Sequence, residues 1–132
     1  LDYSDQGSRA VLPWQKNLER IGVTLNYRVV DTAQYIARLR EFDFDMFTGV
    51  WGQSLSPGNE QRGYWGSTSK DLAGSRNYAG ISDPAIDTLI DKIIFADSRE
   101  ALVTATRALD RVLRAHGFWV PRWGTTDYWV AY

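Results

Sequence analysis

Val23-Thr-Leu-Asn-Tyr-Arg-Val-Val30 alternates apolar Val23, Leu25, Tyr27 and Val29 with polar Thr24, Asn26 and Arg28. A period of two sustained over this length reads as a strand. Asp31 follows, three residues before Gln34, a capping-box spacing that opens a helix. Tyr35, Ile36 and Leu39 give that helix an apolar face, and it is expected to end near Phe42. Phe44 to Trp51 reads as the next strand. Strand, helix, strand is a βαβ unit, and because such crossovers are right-handed in about 98% of cases, the two strands are expected to lie parallel. Upstream, Val11, Leu12, Trp14, Leu18 and Ile21 fit a helix from about Ser8 to Arg20, closed by Gly22. Pro13 inside that pattern predicts a kink or a start near Leu12. The fold class read from these elements is α/β.

Downstream, Asp83-Pro84 is a helix start, an N-cap acceptor followed by proline at the first helical position. Ile86, Leu89, Ile90 and Ile93 form its apolar stripe. Asp97-Ser-Arg-Glu100 opens a second helix, with Leu102, Ala105, Leu109, Val112 and Leu113 expected inside and Gly117 at its end. A tight connection predicts an antiparallel helix pair. Phe118 to Trp123 and Asp127 to Tyr132 read as extended segments, the first kept to an edge or bulge by Pro121. Leu1-Asp2-Tyr3 reads as the tail of a strand beginning outside the chain.

Fifteen basic and sixteen acidic residues nearly cancel, and no block of Lys or Arg stands out. That argues against nucleic acid or an anionic membrane surface as a partner, since both call for concentrated positive charge. The chain has no cysteine, so disulfides and thiolate metal sites are excluded. Its one histidine, His116, stands at a helix end beside an aromatic run, where a capping role is the plainer reading. Ser/His relays and metal clusters lack material, and no Gly-rich phosphate loop occurs. The carboxylate pairs Asp43/Asp45 and Asp87/Asp91 carry no spacing that would converge them across a cleft, as a glycosidase requires. No catalytic residue, metal site or cofactor is therefore assigned.

Binding groups are better supplied. Trp51 stands at the carboxyl end of the second strand, and in open α/β sheets ligands bind beyond those ends. Gln53, Ser54, Ser56 and Asn59 follow in a loop rich in Gly, Ser and Pro. An aromatic wall beside uncharged hydrogen-bonding groups is small-ligand chemistry; a loop that only connects elements is the plainer alternative. Arg62 and Arg76 could each grip a carboxylate bidentately or be solvated loop charges. Tyr64 and Trp65 could line a ligand or staple the loop to its domain.

Leu18-Glu-Arg-Ile-Gly-Val-Thr-Leu25, Asp31, Tyr35, Leu39, Phe42-Asp-Phe-Asp-Met46 and Gly49-Val-Trp51 together resemble the extracytoplasmic peptide-binding proteins of ABC importers. The likeness continues through Gly74-Ser-Arg-Asn-Tyr78, Gly80, Asp83-Pro-Ala-Ile-Asp87, Leu89-Ile90 and Val120-Pro121. Leu55-Ser-Pro-Gly-Asn-Glu-Gln-Arg62 and Tyr64-Trp-Gly-Ser67 resemble one subgroup, the Yej-type binders of oligopeptides and peptide antibiotics. The resemblance implies that residues 1–132 are a single α/β lobe. It would be the C-terminal lobe of a type II periplasmic-binding-protein-like fold, a βαβ core with a flanking helix pair, with about 118–132 leading back toward the other lobe. It also implies a monomeric, periplasmic or membrane-anchored extracellular receptor. Such a receptor takes up peptide or peptide-like ligand and delivers it to an ABC permease in the inner membrane, without catalysis or cofactor.

A carbohydrate or glycoconjugate receptor of the same fold suits the six tryptophans equally well, and a hydrolase fragment is a further alternative. A purely structural domain would have no pocket beside Trp51. In the family's di- and oligopeptide binders, an aspartate three residues after this tryptophan anchors the peptide's free amino terminus. Ser54 occupies that position here, and a hydroxyl cannot neutralise an ammonium. The expected ligand is therefore a blocked or modified peptide, a cell-wall peptide or a glycoconjugate.

Overall fold

The structure, a computed structural model, describes residues 1–3 and 7–121. Among these described residues five α-helices follow one another: α1 Ser8–Glu19, α2 Thr32–Arg40, α3 Glu60–Trp65, α4 Pro84–Ile94 and α5 Arg99–Ala115, with a short 3-10 turn at Ser67–Ser69.

The expected α/β lobe with its βαβ core is not what the described residues form. They contain no β-ladder, only one isolated parallel bridge between Asp2 and Val29. The stretches around Val23–Val30 and Phe44–Trp51 take no regular secondary structure and share no backbone hydrogen bond with each other. Each pairs instead with the first two residues. Asp2 N–H donates to the Arg28 carbonyl and Val30 N–H to that of Asp2, both at 3.0 Å. On the other side, Leu1 N donates to the Met46 carbonyl at 2.7 Å and Thr48 N–H to that of Leu1 at 3.0 Å. Among the described residues these bonds make one isolated bridge and no ladder. The alternation in Val23–Val30 holds only in its middle: Leu25 and Tyr27 are half-buried, but Val23 and Val29 are exposed along with Thr24, Asn26 and Arg28. Period two reports an extended segment, not a face buried along its whole length. Whether a ladder forms depends on the partner, which the pattern does not contain.

Helix boundaries follow the local chemistry closely. α1 continues through Pro13 and ends in two crossing bonds, Val23 N–H to the Leu18 carbonyl and Gly22 N–H to that of Glu19. With Gly22 at φ +78° this is a Schellman cap. α2 starts on Asp31, whose carboxylate accepts from Gln34 N–H at 2.9 Å. It ends in the same bond pattern, Asp43 N–H to Arg38 and Phe42 N–H to Leu39, but with Phe42 in the left-handed position at φ +55°. A side chain there costs on the order of 1 kcal/mol relative to glycine. α4 opens on Asp83, which accepts from Ala85 N–H at 2.8 Å, with Pro84 at the first helical position. α5 opens on Ser98, one residue after Asp97, and Gly117 at φ +65° follows its end.

The core lies between α4 and α5. Ile86, Ile90 and Ile93 of α4 face Ala105, Leu109 and Leu113 of α5, with Ile81 and Trp65 closing one side. Leu89, Leu102 and Val112, read as inside, are partly buried at its margin. His116, just past α5, lies 3.2 Å from Asp83 at the start of α4, so the two helices run antiparallel. The expectations for residues 122–132 fall outside the described residues. No described helix is long and apolar enough to cross a membrane.

Ile90 is 1% exposed, so Ile90→Ala is expected to cost about 2–5 kcal/mol through lost burial and the cavity left behind. Ile36→Ala, at a site 43% exposed, should stay within about 0.5 kcal/mol. Urea denaturation checks both, as a lowered midpoint with unchanged slope for the first and little change for the second.

Candidate functional site

The extended segment leaving α2 carries Phe47 and Trp51 into a group of rings. Phe47 sits 4.9 Å from Tyr78 and 5.7 Å from Trp51, and Trp51 sits 5.9 Å from Tyr78, measured between ring centroids. On its other side Trp51 meets Trp65 at 6.0 Å, which joins the group to the α4–α5 core. The Trp51 Nε1–H is buried and has no hydrogen-bond acceptor.

A cleft of about 280 Å³ opens against this group. Tyr3, Tyr35, Phe47, Trp51 and Tyr78 wall it, Leu39 and Val50 add apolar surface, and Arg76 is the charged side chain on its lining. Tyr35 is held by its hydroxyl, which donates to the Thr48 carbonyl. Burial, reinforced by the charge of nearby Asp2, pushes its phenol well above the ordinary tyrosine range, so it stays protonated. It is a fixed wall rather than an acid.

The segment between α3 and α4 supplies Tyr78 and Arg76, and Asn77 between them fastens it. Asn77 is 0% exposed. Its amide nitrogen donates to the carbonyls of Gly66 (3.0 Å) and Ile81 (2.9 Å), while its oxygen accepts from Ile81 N–H at 2.8 Å. Gly66 is needed for space: a Cβ there would meet the Arg62 carbonyl oxygen at 2.7 Å. Asp87 accepts from Ser67 N–H at 2.9 Å and ties the same segment to α4.

Of the site residues read from sequence, the structure brings only Trp51 and Arg76 to this cleft. Gln53 accepts from Gln61 Nε2 at 2.8 Å, and the Gln61 oxygen in turn accepts from Trp65 Nε1 at 3.0 Å. It therefore supports the buried tryptophan. Ser54 accepts from Ser56 N–H at 3.1 Å within the exposed loop, and Asn59 precedes α3 without capping it through its side chain. Arg62 is spent on Asp91 at 2.8 Å. Arg76 donates to the Tyr64 hydroxyl at 3.3 Å, with its guanidinium carbon 5.7 Å from that ring's centroid. Trp65 is buried in the core, not exposed to ligand. Tyr3, Tyr35, Phe47 and Tyr78 were not singled out as site residues. Their periodicity marks them only as apolar positions, and no local signal says which apolar positions converge.

Elsewhere the carboxylates do structural work: Asp43 pairs with Arg38 at 2.6 Å, Asp91 with Arg62, and Asp83 with His116. No cluster of metal-ligating side chains occurs among the described residues. The described residues assemble an aromatic-walled cleft and present no joined nucleophile and base.

No family model matches the chain. Comparison with curated proteins finds relatives, several of which are named as binding proteins. It is 46% identical, over 94% of its length, to a protein of Agrobacterium fabrum named as a probable peptide-binding protein, YejA. It is 43% identical over 93% of its length to that organism's peptidoglycan-binding protein YepA, and 55% identical over 94% to the protein y4wM of Sinorhizobium fredii. The resemblance read from the residues, down to the Yej subgroup, thus stands. The chain spans about a fifth of the length of these relatives.

Asn77→Ala strands two carbonyls and one N–H in the core. At about 1–3 kcal/mol for each such group, a loss of roughly 3 kcal/mol or more is expected. Asn77→Asp, which keeps the acceptor but loses both donors, should be no better. Chemical denaturation of the two variants checks this; near-wild-type midpoints would refute the fastening role.

Proposed function

We propose that this chain is part of an extracytoplasmic solute-binding protein that captures oligopeptides or modified peptides for an ABC importer. The identity of nearly half its residues with a protein named for peptide binding carries this reading. The cleft beside Trp51 supports it, since a purely structural domain has no use for an aromatic-walled pocket with one cation. In this reading residues 1–132 form one unit of a longer two-lobed receptor. That receptor acts as a monomer in the periplasm or on a membrane anchor and hands its ligand to a permease without altering it.

The ligand reading is narrower than peptides in general. Ser54 offers no charge to a free amino terminus, and its hydroxyl is engaged by Ser56 within the loop. An ammonium desolvated without a counter-charge costs several kcal/mol, so a blocked or modified peptide is favoured. That one relative is named for peptidoglycan binding supports cell-wall peptides as the class.

Native mass spectrometry of the full-length protein, followed by denaturation, tests the reading. Release of an intact peptide, blocked or modified at its amino end, is the expected result. A bare sugar would move the function to glycoconjugate capture, and a chemically altered ligand would indicate an enzyme. Ser54→Asp in the full-length protein should tighten binding of free-amine peptides about tenfold, the worth of one hydrogen bond to a charged group. No gain in isothermal titration would remove Ser54 as the determinant.

A further inference from the structure

We infer that Arg76 is the anion anchor of the cleft, and that the ligand enters it carboxylate first. This rests on the ligand-binding reading above and adds the chemistry of the group that the cleft receives.

Several described arginines, Arg40 and Arg99 among them, have no carboxylate partner among the described residues, but of these it is Arg76 that lines the cleft. Arg38 and Arg62 are each within 2.8 Å of a carboxylate, and Arg114 lies 3.6 Å from Asp110. Arg76 has no ion-pair partner among the described residues. It is oriented instead by Tyr64, through the hydroxyl and the ring face together. A guanidinium placed on an aromatic face keeps donors free in a fixed fork, the geometry that suits a carboxylate. The bond to Tyr64 uses one nitrogen, Nη1, and leaves the rest of the fork to bind.

The surroundings select the sign of the charge. No carboxylate lines the cleft among the described residues. Asp2, next to Tyr3 in sequence, is buried and accepts from the Tyr27 hydroxyl at 3.1 Å and from Tyr3 N–H at 2.8 Å. A carboxylate entering here would complete an ion pair with Arg76, whereas an ammonium would meet like charge on the lining.

Size sets how much of the ligand enters. The cleft, at about 280 Å³, lies at the lower edge of the ~300–1,000 Å³ that accommodates a whole small molecule. It fits one end or one side chain of a peptide. Tyr3, Tyr35, Phe47 and Tyr78 would pack the apolar part behind the carboxylate. The carboxylate itself comes from the peptide's carboxyl terminus or from an acidic side chain.

Affinity selection with the full-length protein decides between these and tests the inference. The probes are tripeptide pools with the amino end both free and acetylated, each made as the free acid and as the amide. Each is made with no acidic residue and with one Glu. Wild type is expected to retain acid over amide, or Glu-containing amide over Glu-free amide. The first result assigns the carboxyl terminus and the second the side chain. In Arg76→Gln that ratio should fall about 10- to 100-fold, the range for losing hydrogen bonds to a charged group. Arg76→Lys should restore part of it, as a charge without the fork.

A general loss of structure would lower retention of acid and amide alike and leave the ratio standing. Equal retention of all pools by wild type, or an unchanged ratio in Arg76→Gln, overturns the anchor while leaving ligand binding intact. No retention of any pool by wild type overturns the ligand-binding reading, and the anchor with it.

Discussion

Three hydrogen bonds from one side chain, Asn77, govern where the cleft's charge and one of its walls stand. The residues on either side of it, Arg76 and Tyr78, both reach the cleft, while Asn77 itself points the other way into the core. By gripping Gly66 and Ile81 it closes the stretch between α3 and α4 into a loop that cannot slide. A surface loop without such a grip would have to order Arg76 at the moment of binding, at an entropic cost of about 1–2 kcal/mol per residue fixed. Here that ordering is part of folding. The burial of an amide whose three bonds are all satisfied by backbone makes the arrangement cheap to keep and costly to break.

Trp51 links this loop to the helical core. One side of the indole meets Phe47 and Tyr78 at the cleft, and the other meets Trp65, which packs with Ile81, Ile86 and Ile90. Gln61 fixes Trp65 by its indole N–H, and Gln53 fixes Gln61. Polar residues that looked like ligand contacts in the sequence thus act one layer further back, holding the aromatic wall in place. Rigidity of that wall follows from packing against the α4–α5 pair rather than from any bond to the ligand.

Helix ends were legible because their causes are local. Asp31 with Gln34, Asp83 with Pro84, and glycine at 22 and 117 each act within a few residues of themselves. The α4–α5 core was legible for the same reason, since a stripe at helical spacing has one inward face. The sheet was misread because a ladder is a property of two segments, and the alternation of Val23–Val30 belongs to one. What the two expected strands pair with is Leu1 and Asp2, which the alternation does not point to. The cleft was half legible. Trp51 announced itself as a large aromatic at the end of an extended run, but its companions Tyr35 and Tyr78 lie 16 and 27 residues away in opposite directions along the chain.

The two loop arginines make the same point in charge. Arg62 and Arg76 have the same chemistry and similar neighbours in sequence, and nothing local separates them. The structure does, because Asp91, 29 residues on, reaches Arg62. Once paired and roughly half-exposed, Arg62 contributes little beyond a surface ion pair worth at most about 1 kcal/mol. Arg76, against Tyr64 and beside a cleft of rings, keeps its charge for whatever enters. In a chain whose charges otherwise nearly cancel, selectivity for a small anionic group need not come from a broad positive surface. A single exposed cation on the cleft's lining is felt at close range and little beyond a Debye length of about 8 Å. The field is therefore local to the cleft, and under the proposed carboxylate-first entry it would discriminate between ligands by what they carry at one end.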